Sequence, residues 1–113
     1  MIFHVSSPED WHAAQQAGDY RRSTRGRSLA EEGFIHCSRL DQVPGVLAAY
    51  YAGAGPLLLL TIDPDLLSAE CRDDEIAPGV VFPHVYGPID LAAVVAVTPL
   101  TAGADGGYVA PQA

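Results

Sequence analysis

Lysine and asparagine are both missing from this 113-residue chain. Without a lysine amine there is no protein Schiff base and no lysine-bearing phosphate loop. Without asparagine there is no acceptor for N-glycosylation. Cysteine is scarce. Cys37 and Cys71 do not make a disulfide framework, and both are expected to be reduced thiols. Long apolar runs are missing too: the longest, "PLLLLTI", is strand-sized, far below the roughly 20 residues that cross a bilayer. The opening "MIFHVSSPEDW" sets no basic segment before an apolar core, so the expectation is a soluble cytoplasmic protein without a signal peptide or membrane partner. Positive charge is also short, with six arginines against 14 acids and a formal net charge of -8. That argues against a dedicated nucleic-acid binder, whose affinity rests on clustered cations.

Catalytic signatures are equally sparse. The chain has no C-x-x-C, no H-E-x-x-H, no G-x-G-x-x-G and no G-x-S-x-G. What remains is a globular composition, 49% hydrophobic and 18% charged. Its length suits a single domain with one modest core, expected over 1–101, followed by a Gly/Ala-rich tail at 102–113 that frays.

The pattern along the chain predicts an α+β fold. "MIFHV" is a short β-prone run. In "SSPEDWHAAQQAG", Ser7 caps a helix, Pro8 takes its first position, Glu9 and Asp10 suit the dipole, and Gly18 stops it. Trp11, Ala14 and Ala17 form the inward face, with His12 turned outward. Residues 19–32 read as a loop. "FIHC" is a second strand, and Ser38, with Asp41 three residues on, caps a helix through "RLDQVPGVLAAYY". "LLLLTID" fits a strand buried on both faces. "AECRDDEI" and "VFPHVYG" pair across "APGV", and "IDLAAVVAVTPL" is the last strand. Helices near the N-terminus with strands behind them predict α+β rather than a doubly wound sheet.

Three of the four histidines, His4, His36 and His84, lie in short apolar strands. A buried imidazole needs partners for both ring nitrogens, so three such residues point to a shared cleft. Together with Cys37 they are competent zinc ligands. However, neighbours on a strand face opposite ways, so His36 and Cys37 cannot easily share an ion. The same pleat sends Cys37 into the core as a small apolar filler, against a thiol nucleophile. Four arginines fall in "YRRSTRGRS", at 21, 22, 25 and 27. With Ser23 and Thr24 they either receive an anion or form a solvated loop balanced by Glu31 and Glu32. Glu75 closes the acidic strand. It either meets the region of His84 across the hairpin or guards an edge strand.

"EEGFIHCS" and "FPHVYGPI", with "IFHV" before and "LLLLTID" between them, resemble the family known as domain of unknown function 952, over residues 2 to about 100. The resemblance implies an ADP-ribosyltransferase-like fold: a split, mixed β-sheet, here with two N-terminal helices, and a cleft that in active relatives binds NAD. It also implies roles by position. His4 matches a first-strand contact to the NAD ribose, His36 the second motif, and Ser38 a hydroxyl near the nicotinamide. The third motif falls at "HVYGP", with His84 and Tyr86 where many relatives carry a glutamate. The tRNA 2'-phosphotransferase branch likewise uses histidine and arginine there. The resulting expectation is an NAD or nucleotide cleft with no metal. His36, His84 and Glu75 are its catalytic candidates, and His4, Arg25, Ser38 and Tyr86 its cofactor contacts. Two rivals stay open: a non-catalytic module for a small anionic ligand, and a histidine-based metal-dependent hydrolase.

Overall fold

The computed structural model describes residues 1–101 and Tyr108. Among the described residues, ten strands alternate with three helices and three 3-10 turns. Strand β1 (Ile2–Ser6) leads into α1 (Pro8–Ala17) through the expected cap: the Asp10 N–H donates to Ser7 Oγ at 3.0 Å. Gly18 ends α1 at φ 97°, the left-handed conformation that glycine adopts without a steric penalty. Residues 19–32, expected as a loop, are ordered instead. They form β2 (Asp19–Tyr20), β3 (Arg22–Thr24), β4 (Arg27–Ser28) and α2 (Leu29–Glu32). The Ser28 and Glu31 side chains cap α2 reciprocally.

Strand β5 (Ile35–His36) is short because Ser38 leaves it to bridge β1. Phe3 and Ser38 exchange two backbone hydrogen bonds, each 2.8 Å. This corrects the expected role of Ser38 as a helix cap, since its extended backbone is held by β1. A 3-10 turn (Leu40–Gln42) follows, in which Gln42 Oε1 accepts from the Arg39 N–H at 2.8 Å. Helix α3 (Val43–Tyr50) begins only afterwards, so Pro44 sits harmlessly in its first turn.

Strand β6 (Leu57–Ile62) lies between β1 and β10 (Val94–Leu100). Its two faces feed two apolar clusters. Leu60 and Ile62 join Ile2, Ala14, Tyr20, Ile35, Cys37 and Val85. Leu57 and Leu59 join Val5, Val46, Leu47, Tyr51 and Leu100 under α3. Full burial of each leucine is worth about 1.5–3 kcal/mol, which makes β6 the chief hydrophobic contributor among the strands. Tyr108 adds to the second cluster, and its hydroxyl donates to the Gly55 carbonyl at 2.6 Å. The rest of the expected tail lies outside the described residues.

The second large sheet has the order β5–β8–β7, with β7 (Cys71–Ala77) and β8 (Val80–Val85) forming a hairpin. β9 (Ile89–Asp90) pairs with β2. The Phe3–Ser38 bridge sets the two three-stranded sheets edge to edge, giving a split α+β architecture. Two details differ from expectation. Every strand pairing among the described residues is antiparallel, so the sheet is not mixed. The two expected helices are α1 and the shorter α3, between β5 and β6, and the four-residue α2 is added to them. Among the described residues, no helix is long and apolar enough to cross a membrane.

Candidate functional site

The pleat of the β5–β8–β7 sheet sorts residues by chemistry. Ile35, Val85 and Cys71 stand opposite one another and pack into the core. Their neighbours face the other way: His36 pairs with His84, His84 with Arg72, and Asp74 with Phe82. Directly opposed residues share a face, so this side carries His36, His84, Asp74 and Arg72 together. Cys37 is fully buried on the core side, and burial pushes its thiol well above the usual range. It is core filler, as the pleat predicts.

A hydrogen-bonded chain runs along the polar face. Asp74 Oδ2 accepts from His84 Nδ1 at 2.8 Å and also from the Tyr86 hydroxyl. His84 Nε2 lies 3.2 Å from His36 Nδ1. The carboxylate cannot donate, so His84 carries its proton on Nδ1. In the neutral ring Nε2 then accepts from His36 Nδ1–H, and His36 Nε2 is left as an acceptor for the cavity. Phe34 stacks on the His84 ring with centroids 4.1 Å apart, and the Arg72 guanidinium lies 4.7 Å from the Tyr86 centroid.

The cavity in front of this chain has a volume of about 210 Å³. His36, His84 and Phe34 line one side; Ser23, Thr24 and Glu32 come from β3 and α2, with Tyr50 and Ile76 at the rim. Ser23 Oγ is buried and has no hydrogen-bond partner among the described residues. Burial, reinforced by the neighbouring His84, lowers the His36 pKa to about 4, so the ring is neutral at physiological pH. Asp74 is held below the usual carboxylate range by its bonds from Tyr86 and His84.

Other sequence candidates lie elsewhere. His4 is buried behind His36: its Nδ1 donates to the His36 carbonyl at 2.6 Å, and its Nε2 accepts from the Tyr20 hydroxyl at 2.9 Å. Both ring nitrogens are engaged, so His4 supports the site without lining it. The three imidazoles therefore do not converge on one ion, and no group of three potential ligands clusters for a metal among the described residues. Glu75 is exposed, opposite Val81 and on the face away from His84. The carboxylate that engages His84 is Asp74, which the sequence reading missed. Ser38 is buried beside Phe3 and does not line the cavity. Tyr86 joins the network through Asp74.

The basic segment divides sharply. Arg21, Arg22 and Arg27 pair with Asp19, Asp10 and Glu32. Arg25 has no carboxylate partner among the described residues; its guanidinium donates to the Tyr50 carbonyl at 3.3 Å. It lines a second cavity of about 150 Å³ with Ser7, Tyr20 and Tyr51. Thr24 borders both cavities, which places Arg25 beside the histidine site.

The family model described as "Protein of unknown function (DUF952)" matches residues 5–97, a span that includes the whole Asp74–His84–His36 chain. The chain belongs to this family. No curated protein matches it. Among solved structures it is similar to Protein CC0527 from Caulobacter crescentus. That protein's crystal structure aligns at a TM-score of 0.84 and 28% identity, covering 96% of this chain and 92% of that chain. Its solution NMR structure aligns at 0.77 and 28% identity, covering 94% and 89%. This DUF952 chain thus shares an overall fold with CC0527.

Proposed function

We propose that this DUF952 chain is an ADP-ribosyltransferase-like protein that binds NAD or a related nucleotide at the His36–His84 cavity. The observation that carries the reading is the Asp74–His84–His36 chain, which delivers a neutral imidazole acceptor into a cavity one residue away from an arginine that has no carboxylate partner among the described residues. The split α+β sheet is consistent with that fold. In this reading His36 Nε2 accepts from a ribose hydroxyl, Arg25 contacts the pyrophosphate, and Tyr86 braces Asp74. The carboxylate facing a developing oxocarbenium is Glu32 at the cavity wall, not the outward Glu75. As the ribosyl C–N bond breaks, nicotinamide leaves with the bonding electrons. The acceptor's hydroxyl oxygen bonds to the ribosyl carbon and its proton passes to solvent, and catalysis comes from positioning and charge stabilisation.

Calorimetric titration with NAD and with ADP-ribose tests the reading. Binding heat is expected from wild type and a loss of at least about tenfold in affinity from His36→Ala, the cost of one hydrogen bond of about 1.4 kcal/mol. Absence of heat with folded wild type contradicts it. Arg25, without a carboxylate partner among the described residues, also favours a second reading, a small-anion module without turnover. Binding of ADP-ribose with no release of nicotinamide from NAD selects that one.

A further inference from the structure

The second cavity, of about 150 Å³, is lined by two opposite charges that do not meet. Arg25 reaches it from the two-residue turn of the β3–β4 hairpin, where Gly26 takes a left-handed φ of 73°. Asp10 reaches it from the first turn of α1, its backbone N–H held by the Ser7 cap. Both side chains are thus mounted on fixed backbone. They are not paired with each other: Asp10 Oδ1 makes a long, 3.4 Å contact to Arg22 Nε, and Arg25 donates to the Tyr50 carbonyl at 3.3 Å. A guanidinium and a carboxylate that line so small a space yet stay apart leave room for a ligand carrying the two complementary charges.

The walls narrow the class of that ligand. The Tyr51 hydroxyl donates to the Val5 carbonyl at 3.4 Å and lies 3.5 Å from Thr24 Oγ1. Both contacts are longer than the roughly 2.7–2.8 Å usual for a hydroxyl, so this group turns to a ligand at little cost. Burial raises the Tyr51 pKa, the Asp10 carboxylate adds to that and the Arg25 guanidinium opposes it, which puts the hydroxyl in the field of both charges. Val5, Ala54 and Leu57 supply an apolar wall. A cavity near 150 Å³ holds about one benzene-sized group, so its occupant has roughly six to eight heavy atoms. An anion alone would be repelled by Asp10 and a cation alone by Arg25. In either case one wall charge would lose water without gaining a partner.

We infer that this cavity binds a small aliphatic α-amino acid as its zwitterion, with the carboxylate on Arg25 and the Tyr51 hydroxyl, the ammonium on Asp10, and the side chain against Val5, Ala54 and Leu57. The inference goes beyond the nucleotide reading and needs neither His36 nor His84. The two share Arg25, which serves one anion at a time, so they describe competing ligands.

The probes are L-valine, isovalerate, which lacks the ammonium, isobutylamine, which lacks the carboxylate, and L-tryptophan, which exceeds the volume. Each is titrated into the full chain near pH 7.5 at low salt and followed by amide chemical shifts. Valine is expected to bind, with isovalerate and isobutylamine each at least about tenfold weaker, since each forfeits a charge-assisted hydrogen bond. Tryptophan is expected not to bind. Arg25→Gln is expected to weaken valine about tenfold and to abolish its advantage over isobutylamine while keeping that over isovalerate. Asp10→Asn is expected to do the reverse, and circular dichroism checks that both variants fold. Any analogue binding wild type as tightly as valine overturns the proposal, as does no valine binding to folded wild type. Unchanged valine affinity in folded Arg25→Gln also overturns it, as does equal weakening of every probe in either variant, the mark of a merely structural role. NAD binding without valine binding overturns this inference alone. Valine binding without NAD binding upholds it and removes the nucleotide reading alone.

Discussion

Acidification between pH 6.5 and 4 should weaken this fold through His4, and the size of the loss can be worked from its surroundings. The imidazole is buried against Leu60 and Tyr20, donates to the His36 carbonyl and accepts from Tyr20. A second proton would sit on Nε2, displace the Tyr20 hydrogen bond and place a charge in the core. Burial accordingly lowers the His4 pKa from 6.5 to about 4. Because the folded value is depressed, the unfolded chain binds more protons between these limits. Stability is therefore fully present above pH 6.5 and falls as pH drops towards 4. At about 1.4 kcal/mol per tenfold in proton affinity, the loss amounts to roughly 3 kcal/mol, a large part of a typical domain's 5–15 kcal/mol. The perturbation is His4→Gln, whose amide can donate to the His36 carbonyl and accept from Tyr20 but does not titrate. Urea unfolding at several pH values from 4.5 to 7.5 is the assay. His36 titrates in the same window, so wild type should show the steeper slope and His4→Gln the shallower one, the two differing by up to about 1.4 kcal/mol per pH unit. Parallel curves would refute the assignment of a neutral, doubly bonded His4.

Three further outcomes follow from the site and its supports. Asp74→Asn should release the His84 tautomer and weaken ligand binding about tenfold in calorimetry, while Glu75→Gln, on the outward face, should leave affinity unchanged. In the native protein a thiol reagent should modify the partly buried Cys71 and spare the fully buried Cys37, with Cys37 reacting only on denaturation; intact-mass spectrometry reads both. Gly87→Ala should cost about 1–3 kcal/mol in urea unfolding, because its Cβ would lie 2.7 Å from the Ala69 Cβ beside the Tyr86–Glu70 backbone bond.

Much of this architecture is legible in the sequence, and the misses have physical causes. The cap and stop of α1, the doubly buried β6 and the opposite facing of His36 and Cys37 all follow from local chemistry or from period-two alternation. The two- and three-residue strands between Asp19 and Ser28 are too short to show any period, and they are where Ser23 and Thr24 enter the site. The Asp74-for-Glu75 error is a matter of register. A two-residue turn at Pro78–Gly79 pairs Ala77 with Val80, and a regular ladder from there would put Glu75 on the face of His84. The register instead shifts between Glu75 and Ala77, so Glu75 meets Val81 and every residue beyond changes sides. Nothing in "DDEIAPGVVF" announces that bulge. The burial of His4 likewise depends on Tyr20, a residue from a segment that reads as loop.

The central claim is that Asp74, His84 and His36 form one directed hydrogen-bond chain that ends in an uncharged acceptor at the cavity. Nitrogen-15 spectra of the histidine rings at pH 7.5 test it most directly. The Nδ1–H tautomer is expected for both His36 and His84, with the His84 pattern lost in Asp74→Asn and His36 Nε2 shifting when ADP-ribose is added. An Nε2–H tautomer at His36, or a charged His36 ring at that pH, would contradict it.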